Sequence, residues 1–130
     1  MDTKGWHRTK LKFIGWLYGG LSGKSGEDFY NREDPRSRPY IPFKNIANNL
    51  VINPLVLDVV RIEHGEEQNE VRKHDLLFLM SSENYEDIGR SSILMDDLDQ
   101  TYLNSFCRGF RITDPKYYAP YINYYMHGHE

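Results

Sequence analysis

Two short apolar runs, Leu76–Met80 and Phe106–Ile112, flank a polar middle segment. Each is as long as a strand rather than a helix, and the second alternates crudely, so both predict strands. Between them stand Ser81, Ser82, Glu83 and Asn84, then Ser91 and Ser92, then Asn104 and Ser105. Small hydroxyl and amide side chains just past apolar strand ends are held at a rim, where a ligand can be read by hydrogen bonds. The same residue types also make ordinary turns, and the pattern alone leaves both readings open.

Upstream, Lys10–Tyr18 predicts a strand with Gly15 as a candidate bulge. Gly19–Arg38 is a long polar connection carrying five charged residues from Arg32 to Arg38. Loops beyond ~12–15 residues without structure of their own are usually functional or disordered. Pro35 and Pro39 stiffen its exit. Tyr40–Phe43 predicts a short strand that Pro42 confines to an edge or an end. Lys44–Leu50 predicts a helical turn or more. Val51–Ile62 is strand-like, interrupted early by Asn53-Pro54, and His64–Gln68 is a turn.

Tyr85–Ile88 predicts a short helix ended by Gly89. Ser92–Met95 and Thr101–Leu103 predict further strands around an acidic turn of Asp96, Asp97 and Asp99. Asp114-Pro115 has the form of a helix start, with Asp as cap and Pro in the first turn. Tyr117, Tyr118, Tyr121, Tyr124 and Tyr125 then recur at helical spacing, with Pro120 interrupting them. Such a tyrosine face reads as packing surface before it reads as a stacking platform. The expected fold is α+β: a twisted mixed or antiparallel, partly closed sheet with short helices and a C-terminal aromatic-rich helix.

At 130 residues the chain predicts one domain, residues 1–130, and its 39% hydrophobic and 14% aromatic content suffices for a core. The single cysteine, Cys107, precludes a disulfide within the chain. Its apolar strand predicts a buried, inert thiol. No apolar run approaches the ~18 residues of a membrane span, and nothing resembles a signal peptide, so the expectation is a cytoplasmic protein without a membrane partner. The net charge of −3 argues against a general nucleic-acid coat. It is unevenly spread. Residues 1–44 hold nine Lys/Arg against five Asp/Glu (+4), and residues 45–130 hold seven against fourteen (−7). Phosphate contacts would concentrate in the basic third.

Several chemistries fail on their residue requirements. Gly19-Gly20-Leu21-Ser22-Gly23-Lys24-Ser25 imitates a phosphate-binding P-loop, but Tyr18 stands where its first glycine belongs and no apolar helix follows. Asp114-Pro115-Lys116 matches a restriction-nuclease motif only by letters, because Pro115 would break the strand. Asn53-Pro54 continues with Leu55 and Val56, not the Pro-aromatic pair of a base methyltransferase. His64, His74, His127 and His129 give only weak support for structural zinc.

Three blocks in the central stretch carry a family likeness: K-H-D-L-L-F-x-x-S-S-E from Lys73, I-G-x-S-S from Ile88, and Y-L-N-S-F-C-x-G-F-R from Tyr102. Upstream stand the glycine-rich Gly19–Phe29 and Tyr40-Ile41-Pro42-Phe43-Lys44-Asn45-Ile46, which is similar to Y-I-x-x-K-N-I. In that order, over about Lys10 to Tyr125, the blocks resemble the target recognition domain of type I restriction–modification specificity (S) subunits. Where that family usually shows K-G-D, this chain has Lys73-His74-Asp75. Glycine there suggests positive φ, which His tolerates better than most residues at some cost.

The resemblance implies a non-enzymatic reader of half of a bipartite double-stranded DNA site, without cofactor or metal. Its partners would be a methylation subunit and a restriction translocase. Whole S subunits carry two such domains, so the chain reads as the N-terminal half of a longer subunit or as a half-subunit. Lys24, Arg32, Arg36, Arg38 and Lys44 are the candidate phosphate contacts, and Ser22, Ser25, Asn45, Ser81, Ser82, Glu83, Asn104 and Ser105 the candidate base readers. Positions that match a family whose members read different sequences can equally be scaffold, with Arg32–Arg38 reading the bases. Two alternatives remain: a small Mg²⁺-dependent nuclease using Asp96, Asp97 and Glu83, and a fragment that only docks on a methylation subunit.

Overall fold

A computed structural model describes residues 11–29, 31–79 and 90–120. The elements are α1 (Leu11–Ile14), β1 (Gly15–Gly19), a 3₁₀ turn (Gly26–Phe29), β2 (Ser37–Ile41), α2 (Phe43–Asn48), β3 (Asp58–Arg61), β4 (Leu76–Leu79), β5 (Ser92–Ile93), β6 (Tyr102–Leu103) and β7 (Cys107–Ile112). They form a mixed α+β architecture with two sheets where the sequence suggested one. The first is four-stranded and antiparallel, in the order β1-β7-β4-β5. The second runs β3-β2-β6, with β2 antiparallel to β3 and parallel to β6.

β4 reads as an unbroken apolar run because both of its faces are covered. Leu76 and Phe78 join Phe110, Ile93, Ile14 and Ala119 on one side. Leu77 joins Tyr18, Cys107, Ile41, Ile46 and Leu103 on the other, so this second cluster binds the two sheets together. Cys107 is buried there, as its setting suggested, and burial pushes its thiol pKa up to about 12.

The predicted strands at Leu76–Met80 and Phe106–Ile112 match β4 and β7 closely, and the predicted turn at Lys44–Leu50 is α2. Three expectations need correction. Leu11–Ile14 is a helical turn, and Gly15 opens β1 in regular register with Ile112 rather than forming a bulge. It lies so close to β7 that a side chain there would overlap the Arg111 carbonyl. Pro39 lies inside β2 rather than in a loop. It is tolerated because β6 reaches only Tyr40 and Ile41, and among the described residues no strand lies beside Pro39 on that side to miss its N–H. Asp114-Pro115 opens a turn, closed by Asp114 accepting from the Lys116 and Tyr117 N–H groups, and helical backbone begins only at Ala119. The expected Tyr85–Ile88 helix and the aromatic repeat from Tyr121 onward lie outside the described residues.

His74 takes φ +75°, the left-handed conformation anticipated for this position. The turn is held by Asp75, whose N–H donates to the Arg72 carbonyl (3.0 Å) while its carboxylate accepts from the Arg72 N–H (2.9 Å).

Candidate nucleic-acid interface

The strand registers bring several chain segments to one end of the molecule. Leu79, the last residue of β4, pairs with Cys107, the first of β7. Gly19, the last of β1, pairs with Arg108. Ile41 and Leu103, the last residues of the parallel pair β2 and β6, lie side by side. Two backbone bonds tie these ends together: Gly20 N–H to the Cys107 carbonyl (3.1 Å) and Leu21 N–H to the Leu103 carbonyl (2.8 Å). Gly20 is required at this crossing, since a β-carbon would overlap the Asn104 carbonyl oxygen. A rim therefore exists, and among the described residues Pro42-Phe43-Lys44 and Asn104-Ser105-Phe106 leave it.

Asn104 shapes this rim. Its N–H donates to the Ile41 carbonyl (3.0 Å), its side-chain oxygen accepts from the Phe106 N–H (2.8 Å), and its carbonyl accepts from the Cys107 N–H (3.0 Å). These bonds close a tight turn that leaves Ser105 and Phe106 exposed. Lys44 is exposed at the start of α2. Asp58 pairs with Tyr40 near the end of β2, so Arg32, 3.7 Å from Asp58, lies toward the same end. The Arg32 side chain is 67% exposed, and an ion pair that long and wet contributes little.

Other candidates have different work. Asn45 is buried, with every hydrogen-bonding position used. Its Nδ2 donates to the Asn53 and Val56 carbonyls (2.9 Å each), and its Oδ1 accepts from the Asn53 N–H and from Asn49 Nδ2 (3.0 Å each). It brackets the segment after α2 and has nothing to offer a base. The Lys24 ammonium donates to Glu66 at 2.6 Å with its side chain only 7% exposed, so it serves the fold rather than an outside phosphate. Burial alone would raise the Glu66 carboxyl, but the bonds from Lys24 and Gln68 outweigh it and hold the pKa below the ordinary value. Ser25 caps the 3₁₀ turn: its N–H and hydroxyl both donate to Asp28.

Arg36 and Arg38 sit toward the opposite end of β2. Arg36 spans Asp34 and Glu63 (2.9 Å each), and its bonds to Asp34 depress that carboxyl to about 2. Arg38 donates to Gln100 and to the Pro35 and Ser37 carbonyls. Ser22 is exposed, but it lines a cleft of about 530 Å³ with Glu66, Glu67 and Glu70, whose charges repel a phosphate backbone. Ser81, Ser82 and Glu83 lie outside the described residues.

Away from the rim, the resembling blocks interlock. Asp75, from K-H-D, is 1% exposed and accepts two bonds from Arg111 (2.9 and 2.8 Å), the arginine of F-C-x-G-F-R, and a third from the Tyr18 hydroxyl. The Arg111 guanidinium also stacks on Trp16 and Tyr18, at 5.0 and 4.9 Å. Burial, then the charge and hydrogen bond of Asp75, raise the Tyr18 phenol well above its ordinary pKa.

Sequence reasoning missed Phe43, Phe106 and Arg108 at the rim. The two phenyl groups are 46% and 69% exposed, and Arg108 is half-buried against Gly19. A phenylalanine just after Asn-Ser, inside a turn rather than on a strand face, was the available signal for Phe106.

Among the described residues, no group of three or more His, Cys, Asp or Glu could hold a metal ion, and no helix is long and apolar enough to cross a membrane. Compared with known proteins, the chain matches no family model, no curated sequence and no solved structure.

Proposed function

We propose that this chain is a sequence-reading double-stranded DNA domain of the kind carried by type I specificity subunits. In that role it reads half of a bipartite site while a methylation subunit and a translocase perform the catalysis. One observation carries the reading: the ends of β1, β2, β4 and β6 and the start of β7 converge on a single rim. Lys44 and Ser105 depart from that rim, and Arg32 lies toward it. Lys44 and Arg32 neutralise phosphates; Ser105 faces base edges. The interlocked Asp75–Arg111 and Gly20–Asn104 contacts support a scaffold role for those motif positions.

The test is selection of bound duplexes from a random pool, followed by salt titration, with the chain alone and with its methylation subunit. Lys44→Ala should weaken all duplexes alike and reduce the salt slope by about 1. Failure to retain any duplex at low salt in either form would sink the proposal. Mg²⁺-dependent, chelator-sensitive DNA cleavage by the purified chain would instead establish the nuclease alternative.

A further inference from the structure

Phe106 is 69% exposed, yet it is not on a loose loop. The residue before the turn and the residue after it are both fixed in sheets, Leu103 against Ile41 and Cys107 against Leu79. Asn104 closes the turn by accepting from the Phe106 and Cys107 N–H groups. A large apolar side chain held outward on a rigid three-residue turn gains little for the fold, and 69% of it stays open to something else. Ser105 precedes it, Lys44 leaves the neighbouring strand end and Arg108 follows two residues later, while the cleft of Glu66, Glu67 and Glu70 borders the same crossing at Gly20. Phe43, also exposed, departs from the strand end beside it.

An apolar wedge beside an exposed lysine fits a polyanion with apolar layers inside it. Proteins that insert Phe between base pairs use this combination: the charges hold the phosphates, and the ring replaces part of the stacking it disrupts. We infer that Phe106 inserts between adjacent base pairs of the bound duplex, locally unstacking one step, with Lys44 gripping a flanking phosphate. This rests on the DNA-reading function proposed above. It would let the domain favour easily unstacked pyrimidine–purine steps at a position where no hydrogen bond reads the base.

The experiment uses the duplex recovered by selection, with 2-aminopurine placed in turn at each position and fluorescence followed as the chain binds. Brightening at one step is expected with the parent chain. Phe106→Ala should abolish the brightening and weaken binding about tenfold, the scale of losing one base–aromatic contact. Phe106→Trp should retain both. If the parent chain binds the duplex but no position brightens, or if Phe106→Ala brightens like the parent, the wedge is wrong while the DNA-reading function stands. If Phe106→Ala binds DNA normally and instead loses the methylation subunit, the ring is a protein-docking residue and the inference is overturned. If the parent binds no duplex at all, the underlying function has failed first.

Discussion

Asn45 offers the sharpest separation of scaffold from reader. Its four hydrogen bonds, all between 2.9 and 3.0 Å, bind the Asn53 and Val56 carbonyls, the Asn53 N–H and the Asn49 amide. Asn45→Ala removes one end of each pair, so the Val56 carbonyl and the Asn53 N–H lose their partner, while the Asn53 carbonyl keeps the Val56 N–H. An unsatisfied buried group costs about 1–3 kcal/mol. Because Asn49 and Asn53 are exposed and water can reach part of this segment, the low end applies. The expected destabilisation is about 2 kcal/mol, and at this chain length each kcal/mol lowers Tm by roughly 3–5 °C. Thermal unfolding followed by circular dichroism should therefore show Tm lower by about 6–10 °C, with duplex affinity of the folded fraction unchanged. A variant that melts with the parent but loses its preference among duplexes would refute the bracket and restore Asn45 as a base reader.

Other outcomes follow from the same contacts. Tyr18 has a raised pKa in the folded chain, so its contribution is complete below the unfolded value near ~10 and is lost as pH rises through the folded value. Stability measured by urea titration should fall above about pH 10, and Tyr18→Phe should flatten part of that fall. Gly109→Ala drives a methyl into the Tyr18 ring and should cost about 1–3 kcal/mol in the same assay; no loss would mean that β1 and β7 separate easily. Cys107, 1% exposed and with its pKa pushed up to about 12, should react with a thiol reagent only as fast as the protein unfolds. Rapid labelling of the native chain would contradict its burial.

The parts legible in the sequence were those set by local pattern. β4 and β7 announced themselves by apolar runs, and α2 by a short helical segment after Pro42. The backbone at His74 followed from comparison with K-G-D. The parts that were not legible depend on distant partners. Lys24 looked like a free phosphate ligand because Glu66, which occupies it, lies 42 residues away. Asn45 looked like a polar reader because its partners come from the far side of α2. The division into two sheets turns on the parallel contact of β2 with β6, about sixty residues apart, which no local periodicity encodes. The rim itself was anticipated as a principle, but which side chains survive there as free groups was decided by ion pairing.

The position of β7 has a consequence for how the molecule comes into being. β7 lies between β1 and β4, and the Thr113 and Asp114 N–H groups reach back to the Ile14 carbonyl. During synthesis the first strand must wait for nearly a hundred residues before β7, its neighbour among the described strands, leaves the ribosome. Until then β1 and β4 expose unmatched edges, so nascent chains stalled before Cys107 should be prone to clump and to need chaperone protection, whereas those extended past Asp114 can close the sheet in one late, cooperative step.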